Sequence, residues 1–223
     1  MAFVDEIKLK LSAGRGGDGV VRWLRGKGRP LMGPAGGNGG KGGDVYVLSV
    51  RDVHILSKYT HKKEFTAEDG EAGAKNSLHG KDGEDIELKL PIGSIITNKK
   101  TGESISLENE GEKILLLKGG RGGLGNEHFK SSTNRSPEEW TPGEEGESAD
   151  FFIELELFAD LGLIGLPNAG KSSLLNALTH AHAKIGSYQF TTLDPNLGEM
   201  FGYIIADLPG LIEGAAEGKG LGH

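Results

Sequence analysis

Thirty-eight of the 223 residues are glycine, and they are phased rather than scattered. Gly33, Gly36, Gly39 and Gly42 recur every third residue, and Gly119, Gly122 and Gly125 repeat the spacing. The pairs Gly14/Gly17, Gly16/Gly19, Gly70/Gly73, Gly80/Gly83 and Gly143/Gly146 show it in miniature. Three residues per turn is the period of the polyproline II helix, in which a column of glycines on one face lets neighbouring chains approach closely. A flexible linker has no need of such phase. Low-complexity disorder is the competing reading of so much glycine, and the strand-like segments flanking the runs count against it.

Those segments are residues 4–11, 45–50, 86–90, 114–117 and 151–158, which alternate apolar and polar residues as half-buried strands do. Ile7, Leu9 and Leu11 share one inward face, and Ile153, Leu155 and Leu157 share another. Helical periodicity is scarce before residue 171, and turn residues are frequent. Residues 1–158 are therefore expected to be all-β and glycine-rich, a small barrel or sandwich with polyproline II excursions packed above it. Residues 159–223 change character without a Pro/Ser-rich linker and are expected to open an α/β domain stiffly joined to the first. A hydrophobic content of 36% suffices for two cores.

The second domain announces its chemistry. Gly165-Leu-Pro-Asn-Ala-Gly-Lys-Ser is a complete GxxxxGK[ST] phosphate loop, placed after the apolar residues 161–164 and before a helical pattern with Leu174, Leu175 and Leu178. Its glycines let backbone N–H groups turn inward, the helix start adds partial positive charge, and Lys171 supplies a full charge to the outer phosphates. Gly165, Pro167, Asn168, Ala169, Gly170, Lys171, Ser172 and Ser173 are the nucleotide-contacting candidates in the loop. Asp207-Leu-Pro-Gly210 follows a short apolar strand at 203–206, as a Walker B carboxylate requires. Asp207 and Pro209 join the candidates, and Gly210 can offer its N–H to a γ-phosphate. Between the motifs, Phe190, Thr191 and Thr192 form a switch segment. Mg²⁺ is expected on Ser172 and Thr192, with Asp207 direct or through water; Thr191 is the alternative to Thr192.

Charge is uneven. Residues 1–63 carry twelve Lys or Arg against five Asp or Glu, although the whole chain stands at −7. A basic third inside an acidic protein suggests contact with an anionic polymer, with a solvated surface as the alternative. Arg15, Arg22, Arg25, Lys27, Arg29, Lys41 and Arg121, in or beside the glycine runs, are the RNA-contacting candidates. Trp23 is read as a core residue rather than a stacking platform. The residues 138–147 read as a solvated acidic loop, and the scattered histidines give no zinc site. There is no cysteine, and no segment is long enough to span a bilayer. A cytoplasmic monomer is expected, free of the membrane.

These residues carry a resemblance. The glycine runs Ala-Gly-Arg-Gly-Gly-Asp-Gly, Gly-Pro-Ala-Gly-Gly-Asn-Gly-Gly-Lys-Gly-Gly-Asp and Gly-Gly-Arg-Gly-Gly-Leu-Gly-Asn precede the phosphate loop. Phe-Thr-Thr-Leu-Asp-Pro-Asn-Leu-Gly and Asp-Leu-Pro-Gly-Leu-Ile-Glu-Gly-Ala follow it. Together they resemble the Obg family of GTPases over nearly the whole chain. The resemblance implies GTP and GDP as ligands, slow GTP hydrolysis, and a role in assembling the large ribosomal subunit, with the glycine-rich domain directed at rRNA. It also implies an eight-stranded β barrel carrying six polyproline II helices, then the first part of a P-loop domain. No NKxD motif occurs in the 223 residues, so guanine selectivity is implied by the resemblance alone and the chain is expected to be a piece of a longer protein.

Water activation is left open by the residues. Ras-like GTPases place a glutamine after the DxxG glycine, and here Leu211 stands there, unable to hydrogen-bond through its side chain. Asn168 is a candidate K⁺ ligand beside the phosphates, and a purely loop-turning role is equally open. A non-enzymatic rRNA adaptor is the alternative function. An adenine-nucleotide enzyme is disfavoured by the Phe-Thr-Thr and Asp-Leu-Pro-Gly segments.

Overall fold

The computed structural model describes residues 4–24, 32–52, 55–156, 161–165, 169–179, 184–185, 196–200 and 203–207. The chain divides into two units, Glu6–Glu154 and a second made of Met1–Asp5 with Leu155–His223.

In the larger unit the alternating segments are strands: β1 (Glu6–Ser12), β2 (Val45–Val50), β3 (Glu64–Thr66), β4 (Ile86–Pro91), β5 (Ser94–Asn98), β6 (Ser104–Ser106), β7 (Lys113–Leu117) and β8 (Ser148–Leu155). Ile7, Leu9 and Leu11 of β1 and Ile153 and Leu155 of β8 are buried, as their spacing predicts; Leu157 lies outside the described residues. The strands form a five-stranded sheet in the order β3-β1-β8-β5-β6 and a three-stranded sheet in the order β4-β2-β7. β1 runs antiparallel to β8 from Glu6 opposite Glu154 to Ser12 opposite Ser148. Among the described residues the pairings leave two sheets and no closed one. Three strands escape the sequence reading, because β3 and β6 have three residues each and β6 is exposed throughout, while β5 pairs two isoleucines with polar neighbours.

Six glycine-rich segments, 13–20, 35–44, 67–74, 79–85, 118–126 and 141–147, each adjoin a strand. Three leave the sheets after β1, β3 and β7, and three return to β2, β4 and β8. Their mutual hydrogen bonds recur every third residue. Gly14 and Gly17 donate N–H to the carbonyls of Gly43 and Gly40 at 2.9 and 2.8 Å. Gly42 and Gly39 donate to Gly120 and Gly123, and Gly120 and Gly123 donate to Gly14 and Gly17. The three inner segments thus close a ring of bonds. The glycines are required by sterics: a Cβ on Gly39 would strike the Gly17 carbonyl, and one on Gly122 would strike that of Gly39.

Two expectations need correction here. Gly33 keeps the threefold spacing in sequence but a Cβ there would meet nothing within 4 Å; its φ of 144° is what demands glycine. Trp23 is half-buried rather than a core residue, and it pairs with Pro34 in an isolated antiparallel bridge.

The smaller unit holds β9 (Leu161–Leu163), α1 (Lys171–Leu178), β10 (Lys184–Ile185), β11 (Asn196–Met200) and β12 (Tyr203–Asp207). Its sheet runs β10-β11-β12-β9, with β12 parallel to β9 and antiparallel to β11. α1 begins two residues earlier than the leucine pattern predicts. Its start follows Gly170, whose left-handed conformation at φ 80° turns the chain into the helix.

Candidate functional site

Parallel pairing of β9 and β12 sets Asp207 opposite Leu163, so both strands end at the same edge of the sheet. From that edge the chain after β9 runs into the phosphate loop and α1, and β12 delivers Asp207. The carboxyl ends of parallel strands are where α/β folds bind ligands.

Ser172, in the first turn of α1, donates its hydroxyl to Asp207 Oδ2 at 2.5 Å, joining residues 35 apart in sequence. Asp207 is buried, and its other oxygen, Oδ1, has no hydrogen-bond partner among the described residues. A buried carboxylate oxygen lacking a donor is costly unless something binds it. A hard cation with oxygen ligands suits this pair, so the residues present fit Mg²⁺. Lys171 donates Nζ to the Gly165 carbonyl at 2.9 Å, which returns the ammonium to the residue where the loop motif begins. Ala169, Gly170 and Ser173 are exposed at the helix start, where unsatisfied N–H groups and the helix dipole favour an anion. Pro167, Asn168, Phe190, Thr191, Thr192, Pro209, Gly210 and Leu211 lie outside the described residues.

Leu175 packs α1 inward and is fully buried. At the helix end, Thr179 returns both its N–H and its hydroxyl to the Leu175 carbonyl at 2.9 and 2.7 Å. Thr179 is buried against Gly198 of β11, where a Cβ would collide with the threonine methyl. Gly198 sits in the quoted run Asp-Pro-Asn-Leu-Gly, and its packing role went unread because glycine is common throughout this chain.

The RNA-contacting candidates divide. Arg22 and Arg121 are exposed; Arg25, Lys27 and Arg29 lie outside the described residues. Arg15 is held instead by Asp18 at 2.7 Å and Glu145 at 3.0 Å, and Lys41 by Asp44 at 2.6 Å. Those carboxylates hold both cations above their ordinary pKa values, Asp18 foremost for Arg15 and Asp44 for Lys41. In turn, the Gly143 N–H and then Arg15 hold Asp18 below the usual carboxylate range. For Asp44 burial works upward, and the Lys41 ammonium and the Gly119 N–H outweigh it, so its carboxyl is also lowered. Two charges that read as free in sequence thus serve the glycine array internally.

Asn126 was not anticipated either. It is fully buried, accepts the Gly36 and Arg22 N–H groups at 2.8 and 3.3 Å, and donates to the Arg22 and Pro137 carbonyls. It pins Arg22 and Gly36 to the segment 118–126. A lone Asn closing a glycine run was the available signal.

Residues 4–157 match the family model described as GTP1/OBG, and residues 160–223 match the one described as 50S ribosome-binding GTPase. A relative described as GTPase Obg, from Aquifex aeolicus (strain VF5), is 49% identical over 227 residues, covering 99% of this chain and 66% of its own. The chain spans about two thirds of that relative's length.

Proposed function

The chain belongs to the GTP1/OBG family, and we propose that the protein it represents is a GTP-binding, GTP-hydrolysing switch that acts on the large ribosomal subunit during assembly. The carrying observation is the Ser172–Asp207 bond, with Asp207 Oδ1 unpartnered among the described residues, which joins the two phosphate-site motifs at one sheet edge. On this reading residues 159–223 open a P-loop fold, and residues 1–158 form the barrel-based, rRNA-directed domain.

Phosphoryl transfer asks the protein mainly to position phosphates and neutralise charge. Lys171 exchanges the Gly165 carbonyl for phosphate oxygens, and the amides of residues 169–173 with the start of α1 cradle the anion. Ser172 and Asp207, the latter directly or through water, would hold Mg²⁺ with Thr192 as the further ligand, and the metal would there supply positive charge against that developing on the phosphate oxygens. Leu211 cannot orient water, so intrinsic hydrolysis is slow; Asn168 would hold K⁺ beside the phosphates, and that ion or an arginine supplied in trans would restore the missing charge, the latter worth about 10³ to 10⁵ in rate elsewhere. The descriptions of the matched family and relative, a 50S ribosome-binding GTPase and a GTPase Obg, support guanine nucleotide and the 50S particle as partners. Exposed Arg22 and Arg121, with Arg25, Lys27 and Arg29, carry the rRNA contact; Arg15 and Lys41 brace the array. The protein acts as a cytoplasmic monomer. No helix among the described residues is long and apolar enough to cross a membrane.

Titration of the full-length protein with GTP and ATP in Mg²⁺ tests the proposal. GTP is expected to bind selectively, and Ser172→Ala and Asp207→Ala are each expected to weaken it about tenfold or more while leaving metal-free binding less affected. Equal binding of ATP sinks the guanine assignment. Wild-type affinity in both variants sinks the site.

A further inference from the structure

The basic excess of residues 1–63 is not spent on the glycine runs alone. Four of its lysines, Lys8, Lys10, Lys62 and Lys63, lie on or beside the strands β1 and β3. Lys8, Lys10 and Lys63 meet Lys99 around an open depression of about 340 Å³, and Lys8 and Lys63 also line an adjoining one of about 230 Å³. The backbone fixes their places: Lys10 N–H bonds the Lys63 carbonyl at 2.8 Å, and Lys99 N–H bonds the Asp150 carbonyl of β8 at 2.9 Å. Lys99 Nζ stands 5.1 Å above the Phe152 ring, which lies opposite Lys8 across the β1–β8 pair.

These cations differ from Arg15 and Lys41. Among the described residues, Lys8, Lys63 and Lys99 have no carboxylate within 4.0 Å, and Lys10 reaches Glu64 only at 4.0 Å with both side chains well exposed. Such a contact neutralises little. The larger depression sets two carboxylates, Glu64 and Asp150, against four lysines, and the adjoining one sets Glu6 against Lys8 and Lys63, so each is net positive.

We propose that this face of the β3-β1-β8 sheet is a second docking surface for an RNA phosphodiester backbone, apart from the glycine array. A single small anion calls for donors that converge on a point. Here they are strung out: Lys8 and Lys10 project from the same side of a strand roughly 7 Å apart, and the two depressions continue each other through Lys8 and Lys63. A row of separated ammonium groups suits a chain of phosphates, each contact releasing counterions. The surface rests on the reading that the partner contains RNA, and it deepens it by adding a sequence-independent contact.

The test measures affinity of the full-length protein for a labelled single-stranded RNA across a salt series. It compares wild type, Lys8→Gln/Lys63→Gln/Lys99→Gln, and Arg22→Gln/Arg121→Gln, with circular dichroism confirming the folds. The triple variant is expected to flatten the log affinity against log salt slope by about 2, at roughly 0.7 per lost contact, and to weaken binding about tenfold or more near 0.15 M salt. An unchanged slope in the triple variant, with loss confined to the arginine variant, overturns the groove and leaves the RNA reading standing. Wild-type protein that binds no RNA overturns both. Complete displacement of bound RNA from the arginine variant by millimolar pyrophosphate, or by polyglutamate at matched charge, reassigns the groove to a small anion or an acidic peptide and overturns the proposal as well.

Discussion

Gly198 shows how one missing carbon couples β11 to the helix that carries Lys171 and Ser172. It lies on β11, the strand that follows residues 190–192 in the chain, and it admits Thr179, which terminates the helix carrying Lys171 and Ser172. With alanine at 198 the added Cβ meets Thr179 side-chain atoms at both its methyl and its hydroxyl, in a place where neither residue has solvent to retreat into. Overpacking of this kind costs about 1–3 kcal/mol. Gly198→Ala is therefore expected to raise hydrogen exchange at the amides of α1 and to weaken GTP binding, because the helix start moves with the helix end. Adding Thr179→Ala should recover part of both losses. If exchange in α1 is unchanged by Gly198→Ala, the contact does not position the loop.

At the scale of elements, the glycine array is a case where repeat spacing specifies tertiary packing. Gly122 lies where a Cβ would strike the Gly39 carbonyl, which belongs to a backbone ring that cannot yield without breaking neighbouring bonds. Gly122→Ala is expected to destabilise the larger unit by roughly 3 kcal/mol. Alanine at the exposed neighbour Arg121, also in segment 118–126, should shift the melting temperature little. Equal shifts would remove the steric account. Such glycines were legible in the sequence because a threefold phase has few causes, and β1, β2, β4 and β8 were legible because alternation over five or more residues has few causes too, whereas β7 showed only as the short apolar run 114–117. The pairing of Ser172 with Asp207 followed from motif order. What stayed unread had no local signature. Asp69, Asp82 and Asp85 look like surface acids, yet each accepts a backbone N–H from a neighbouring segment, at Arg15, Lys41 and Asp44 respectively. Their partners lie between 41 and 54 residues away, beyond any window of periodicity.

For the whole molecule, this means that acidic composition is partly structural mortar. Asp44 is the clearest instance: buried where β2 begins, it takes the Gly119 N–H on Oδ1 at 2.7 Å and the Lys41 ammonium on Oδ2 at 2.6 Å, while its own N–H goes to Asp85. It thereby ties segments 35–44, 79–85 and 118–126 to the sheet. Because the folded carboxyls of Asp44 and Asp18 sit below their unfolded value near ~3.9, the folded state binds fewer protons than the unfolded one as pH falls through that range. Their contribution is fully present above the unfolded value and disappears as pH drops through the lowered folded values. Urea unfolding should accordingly lose stability below about pH 4, with little change between pH 6 and 8 from these two groups. Asp44→Asn keeps an acceptor for Gly119 but gives up the charge-assisted bond to Lys41, and is expected to cost about 2 kcal/mol at pH 7. That difference should narrow steadily as the pH is taken from 5 to 3, since wild type then protonates the same group. A gap between wild type and variant that stays constant over that span would show that Asp44 acts through shape alone, and that the junction of the glycine array does not depend on its charge.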